Sequence, residues 1–212
     1  MNTCYIVCAL DSTLDFTPDE SDFVIGADRG YHILKKQGKR IDLALGDFDS
    51  SNEPIDFENV IKFPVMKDET DGAIAIREAL ARGYNRIRMY GAIGGLIDHT
   101  LAIIGEAVKY AEGGVDFAFY SGESSILPLN NGTVRFDKGA SGRISVLSHS
   151  TVSEGVTIKG LLYTLDNYNL ENKVSLGSGN SFIGEEAEIS VRVGTLLICT
   201  SKNNLENHLT KR

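Results

Sequence analysis

Four short segments concentrate aspartates beside glycines or at the start of a helix-spaced run. They are Ala27-Asp28-Arg29-Gly30, Gly46-Asp47-Phe48-Asp49-Ser50, Lys67-Asp68-Glu69-Thr70-Asp71, and residues 91–99, which read GAIGGLIDH. In a D-x-D pair on extended backbone both carboxylates point to one side, because strand side chains alternate with period two. Asp47 and Asp49 can then share one cation, and Asp71 adds a third carboxylate at a helix start. Carboxylates grouped this closely repel one another unless a divalent ion offsets the charge. Oxygen-only ligands favour Mg2+, which keeps waters and bridges substrate phosphates. Gly91, Gly94 and Gly95 let backbone N–H groups approach phosphate oxygens closely. The chemistry these residues point to is metal-assisted transfer at a phosphate.

Each segment also has a purely structural reading. Asp28 before Gly30 suits an ordinary turn, and Asp68 or Thr70 suits a helix N-cap. Gly94-Gly95 suits a plain turn, and His99 beside Asp98 is either a base or a hydrogen-bonded structural histidine. The weight lies in the combination, with every segment following a strand or opening a helix. The sequence has no Walker A loop, no kinase-type glycine loop, no nucleophile elbow and no His/Cys cluster of zinc spacing.

The elements that must position these residues follow from periodicity. Residues 5–10, 23–26, 43–45, 86–90 and 115–120 read as strands. Residues 31–37, 71–81 and 100–110 carry apolar residues at helical spacing, the first two runs stopping at Gly38 and Gly83. Strand and helix in alternation predict a doubly wound parallel α/β domain. In such sheets ligands bind at the carboxyl ends of the strands, so the aspartate segments converge on one rim.

The second half reads differently. Residues 133–136, 143–147, 156–158, 161–165, 173–176, 187–193 and 195–200 are short strand-like runs separated by Gly, Asn and Ser. They predict an antiparallel β-sandwich or small barrel. Turn formers clustered over residues 122–132, with Pro128, mark the boundary, giving domains of residues 1–125 and 126–212. The polar residues 202–212 read as a short helix or a frayed end.

Composition sets the bounds. The 212 residues, 42% hydrophobic and 24% charged, suffice for a sizeable core. A formal net charge of −8 argues against a nucleic-acid partner, yet leaves a nucleotide bridged by metal open. Cys4, Cys8 and Cys199 lie in or beside apolar runs without CxxC spacing, as reduced buried thiols do. Residues 1–10 are too short to span a membrane and lack a signal-peptide pattern, so the expectation is a cytoplasmic protein without membrane contact.

GADRG, LALGDFDS, KDETD and GAIGGLIDH, in this order and at these separations, resemble the thiamine pyrophosphokinase family. Residues 158–167 and the stretch SLGSGNSFIG at 175–184 resemble that family's substrate-side domain. The resemblance covers nearly the whole chain. It implies an ATP-binding α/β domain followed by a β-sandwich that binds thiamine. It implies a homodimer with active sites between subunits, and a reaction of ATP with thiamine that gives thiamine diphosphate and AMP. By motif position it implies Mg2+ on Asp47, Asp49 and Asp71, with Asp71 and Asp98 catalytic and Asp98 near the thiamine hydroxyl or the metal. Asp28, Arg29, Gly30, Lys67, Gly94 and Gly95 would border the substrate groups, Asn180 and Ser181 the thiamine pocket.

Three positions depart from the family pattern. Leu96 stands where an arginine is usual, Gly179-Asn180 replaces a Ser-Asn pair, and Leu162 replaces a basic residue. Losing the guanidinium removes a bidentate phosphate donor, which Arg29, Lys67 or Lys159 would have to replace. The alternatives to a thiamine pyrophosphokinase are a pyrophosphokinase of another small alcohol and a non-catalytic thiamine or nucleotide binder.

Overall fold

The computed structural model describes residues 2–10, 12–48, 55–64 and 69–211. The chain forms two compact units, Met1–Tyr110 with Val115–Gly122, and Ala111–Gly114 with Glu123–Arg212.

In the first unit, strands β1 (Thr3–Val7), β2 (Phe23–Ala27), β3 (Leu43–Gly46), β4 (Val60–Lys62), β5 (Arg86–Tyr90) and β6 (Asp116–Ser121) pair in parallel. Their order is β6-β5-β1-β2-β3-β4. The chain thus steps outward from β1 on one side, through β2 to β4, and then crosses back to continue through β5 and β6. Near-continuous apolar strands are what a parallel sheet buried on both faces requires. Ile6, Val24, Ile25, Leu43, Leu45, Ile87, Met89, Phe117 and Phe119 are all buried. Helix α1 (Gly30–Lys36) packs on β1 and β2, and α2 (Asp71–Ala81) on β1 to β3. Helix α3 (Ile97–Glu112) follows β5.

Two sequence expectations shift here. The first strand ends at Val7, so residues 8–10 leave the sheet and reach its rim. Periodicity gave no sign of β4, a three-residue strand with no buried position. Beyond residue 10, the Gln37 side chain accepts from the Leu14 N–H and donates to the Ser12 carbonyl, tying the connection from β1 to the end of α1.

The second unit is all antiparallel. Strands β7 (Ser124–Asn130), β9 (Arg143–Ser148), β12 (Asn180–Ser181) and β14 (Thr195–Ser201) lie in the order β12-β9-β14-β7. Strands β8 (Thr133–Phe136), β10 (Val152–Lys159), β11 (Leu165–Glu171), β13 (Ala187–Ser190) and β15 (Leu209–Lys211) form a second sheet ordered β11-β10-β13-β8-β15. Alternate residues are buried along each ladder, among them Leu127, Leu129, Ile144, Val146, Leu196 and Ile198 in one sheet and Val134, Phe136, Val156, Ile158 and Ile189 in the other.

Several local expectations are corrected. The unit division falls at Gly122/Glu123, and the Pro128 among the turn formers lies within strand β7, opposite Leu197. Residues 173–176 form no strand. Residues 161–164 lie between β10 and β11, with only a bridge between Leu161 and Phe182. The C-terminal residues are held in place. A π-helical turn, Asn204–His208, leads into β15, and the buried Asn204 amide bonds Ser141 and Thr200.

Candidate active site

Parallel sheets open a crevice beyond their carboxyl ends where the strand order reverses, because successive crossovers there diverge to opposite sides. In this chain that point lies between β1 and β5. A cleft of about 340 Å3 sits there. Its walls come from residues 8–10 after β1, Asp28 after β2, Gly91 and Ala92 after β5, residues 70–72 at the start of α2, and Gly95, Leu96, His99, Thr100 and Ile103 from α3 and its approach.

Two glycines make the convergence possible. A Cβ at Gly30 would lie 1.8 Å from the Val7 carbonyl oxygen, so α1 can start hard against β1 only without a side chain there. Gly91 has φ +65°, and its Cβ would lie 2.3 Å from the Leu10 carbonyl. The Leu10 N–H donates to the Gly91 carbonyl at 3.1 Å, which knits the ends of β1 and β5 together.

Asp28 adopts φ +50°, a left-handed conformation that Asp tolerates better than most residues. Its N–H donates to the Leu45 carbonyl at 2.7 Å, fixing the first aspartate segment beside the start of the second. Thr70 is the N-cap of α2, its hydroxyl accepting from the Ala73 N–H, and this places Asp71 in the first turn on the cleft wall. The N-cap is therefore Thr70 and not Asp68, which lies outside the described residues.

The Cys8 thiol on the cleft wall is pushed up to about 12, first by burial, then by the charges of Asp71 and Asp28. Among the described residues, the cleft lining has two carboxylates, one imidazole and two threonine hydroxyls, and neither Lys nor Arg.

The remaining sequence candidates are placed as follows. Asp47 lies just past the end of β3 and outside the cleft lining. Phe48 has φ +57°, so the backbone is left-handed between Asp47 and Asp49. The period-two argument for carboxylates on one side does not hold there, and a bulky residue in that region is strained. Asp49 and Lys67 lie outside the described residues. Arg29 is exposed at the start of α1 and outside the lining. Gly95 lines the cleft, whereas the Gly94 N–H donates to the Thr100 hydroxyl at 3.2 Å. Asp98 is exposed in the first turn of α3 and outside the cleft lining, while His99 beside it is on the wall.

Cys8, Ala9 and Leu10 were absent from the sequence candidates. Their apolar character reads as strand, and only the early end of β1 reveals them as rim residues.

As to a divalent cation, no group of three His, Cys, Asp or Glu side chains converges among the described residues. The donors that are present fit a hard cation all the same. Asp28 and Asp71 face a cleft with no basic side chain in its described lining, and Asp47 is near the same rim. A cation held there would offset the repulsion between these carboxylates and phosphate oxygens.

The second unit carries its own groove of about 800 Å3, lined by residues 162–164, 174–178 and Asn180. Asn180 is 2% exposed. Ser181 beside it and Lys159 at the exposed end of β10 are outside the groove lining.

A carboxylate-lined crevice at the strand-order reversal is where an open parallel α/β protein binds its ligand. Two family models match: the thiamin pyrophosphokinase catalytic domain over residues 16–119 and the thiamin pyrophosphokinase vitamin B1 binding domain over residues 128–196. The thiamine pyrophosphokinase of Bacillus subtilis is 27% identical over 191 residues, 86% of this chain and 89% of that protein. Its crystal structure superposes with a TM-score of 0.81 at 25% identity, covering 94% of this chain and 98% of that one. A thiamin pyrophosphokinase family protein from Enterococcus faecalis gives 0.82 at 29% identity, with the same coverages. The chain belongs to the thiamine pyrophosphokinase family, a family of enzymes.

Proposed function

We propose that this chain transfers the pyrophosphoryl group of ATP to the hydroxyl of thiamine, giving thiamine diphosphate and AMP. The observation that carries the reading is that Asp28 and Asp71 both line a cleft at the strand-order reversal, with no basic side chain in its described lining. In this reading the first unit is the doubly wound ATP- and Mg2+-binding domain, and the second is the β-sandwich that binds thiamine.

Asp47, Asp49 and Asp71 would hold Mg2+, which would supply positive charge against the phosphates. Asp28, Arg29, Gly30, Lys67, Gly94 and Gly95 border the nucleotide, with their backbone N–H groups and side chains fixing the phosphates in line. Asp98 orients the thiamine hydroxyl and accepts its proton. The bond from that oxygen to the β-phosphorus forms as the bond to the α,β-bridging oxygen breaks, and AMP leaves. Asn180 and Ser181 lie in the thiamine pocket, and Lys159 is a candidate to offset phosphate charge in place of the guanidinium missing at Leu96. The cation of thiamine and the acidity of the cleft are complementary.

The active molecule in this reading is a cytoplasmic homodimer whose sites need both subunits. Its support is that each unit exposes apolar side chains beside its cleft or groove: Leu96, Ile97 and Leu101 in the first, and Leu162, Tyr163, Val174 and Leu176 in the second. Among the described residues no helix is long and apolar enough to cross a membrane.

Incubation with ATP, thiamine and Mg2+, followed by mass spectrometry, tests the reaction. Thiamine diphosphate and AMP in equal amounts are expected. Thiamine monophosphate with ADP, or no turnover, overturns the assignment.

A further inference from the structure

We infer that Asn180 is a positioning residue that acts on the alcohol through the backbone of Tyr163, without touching the alcohol itself. This inference rests on the thiamine reading of the groove in the second unit and gives that site a specific device.

Asn180 opens the two-residue strand β12 and is buried, although it lines a wide groove. Its side-chain amide is engaged on both atoms. Oδ1 accepts from the Tyr163 N–H at 2.9 Å and from the Ser181 N–H at 2.9 Å. Nδ2 donates to the Tyr163 carbonyl at 2.7 Å. A primary amide has two acceptor sites and two donors. Both acceptor sites and one donor are used inside the protein, and burial shields the remainder.

Leu161 anchors the start of the clamped segment by burial, but beyond it the segment has few ties. Residues 161–164 belong to neither sheet, and their further backbone ties are the bridge from Leu161 to Phe182 and the Leu162 N–H to the Ser181 carbonyl. Tyr163 is 65% exposed and Leu162 56%, so neither side chain anchors the segment by burial. Both line the groove, opposite a wall formed by residues 174–178. The amide of Asn180 therefore sets where Tyr163 stands. An aromatic ring in that place suits the flat, cationic alcohol. Mimicking a strand partner with both N–H and C=O of one residue is a task only Asn or Gln performs, and Gln is one methylene too long for these distances.

Steady-state kinetics and backbone amide exchange on the full chain test this with Asn180→Ala, Tyr163→Ala and the double variant. In the free protein, Asn180→Ala should expose the Tyr163 amide to exchange while amides of β9 and β14 stay protected. It should raise KM for thiamine about tenfold, the equivalent of about 1.4 kcal/mol, and leave KM for ATP unchanged. Tyr163→Ala keeps the backbone bonds, so it should raise KM for thiamine similarly with the 163 amide still protected. The double variant should be no worse than either single one, because both act through the same ring.

An additive double variant, or a raised KM with the Tyr163 amide still protected in Asn180→Ala, shows direct contact and overturns the inference. If Asn180→Ala does not fold, the exposed Tyr163→Ala decides, and an unchanged KM for thiamine overturns it. Absence of thiamine turnover in the unmodified chain refutes the functional reading instead, and amide exchange at Tyr163 still reports whether the clamp exists.

Discussion

Asp71→Asn separates the role of the carboxylate from the stability of the fold. The substitution keeps the shape of the side chain and leaves the Thr70 cap of α2 in place. Two opposing effects act on the unliganded protein. A carboxylate in the first turn of a helix is stabilising by about 0.3–1 kcal/mol. Against that, Asp71 shares its cleft with Asp28, and both charges bear on the same buried thiol. The net change should stay within about 1 kcal/mol, or about 2–4 °C in Tm for a chain of this size. Binding should change far more. With ATP–Mg2+ at 100 times its Kd, the unmodified protein gains about 2.7 kcal/mol, or roughly 5–11 °C. A hundredfold loss of affinity leaves about 0.4 kcal/mol of that, or roughly 1 °C. Turnover should fall by about 10²–10³, the effect of removing one preorganised electrostatic contact from a transition state. Thermal shift with and without ATP–Mg2+, beside a turnover assay, reads all three quantities. An Asn variant that retains the full ligand-dependent shift, or near-normal turnover, would remove Asp71 from the metal role and refute the reasoning.

Thr70→Ala removes the hydroxyl that accepts from the Ala73 N–H. It should destabilise by about 1 kcal/mol, seen as a fall of about 2–4 °C in Tm, and an unchanged Tm would deny the cap its role. Leu96→Arg places a guanidinium on the cleft wall at a side chain 67% exposed, so folding should not suffer. Turnover on thiamine should rise, by up to about tenfold if one charged contact of about 1.4 kcal/mol is gained, and equal or lower turnover shows a site adapted to the missing arginine. Alkaline pH should destabilise the protein. Burial raises the Cys8 thiol from 9.0 to about 12 and the Cys4 thiol further still, so the folded chain holds protons that the unfolded chain has released. Their contribution is complete below about pH 9 and is lost as pH rises through the folded values, at about 1.4 kcal/mol per pH unit for each thiol. Urea midpoints measured from pH 8 to 11 should fall less steeply in a Cys4→Ala, Cys8→Ala double variant; equal slopes would contradict the assignment.

Much of the first unit was legible because parallel strands and their helices announce themselves locally. Residues 71–81 and 86–90 fold with the bounds their periodicity gives. Elsewhere an apolar run was longer than its strand. Residues 8–10 look like the end of β1, and only the pairing that stops at Val7 shows that they form a wall of the cleft. In the second unit, two local signals pointed away from the structure. Pro128 sits inside β7, where its missing N–H is tolerated, and residues 161–164 hang between strands instead of forming one.

The residue types by themselves set the chemistry to be expected. Clustered carboxylates beside glycines, without basic loops or nucleophile motifs, indicate phosphates held with a metal, and the order of the four segments indicates the family. Which of those residues face one space was a tertiary decision. The reversal of strand order between β1 and β5 opens the cleft, and the close approaches at Gly30 and Gly91 draw Asp28 and Asp71 to its walls. The same geometry leaves Asp98 outside the lining and turns His99 toward it, a distinction between adjacent residues that no spacing could make. Asn180 shows the limit most clearly. Its type suits a ligand contact, yet its buried amide closes on the backbone of a residue 17 positions earlier, a pairing fixed only once the sheets have formed.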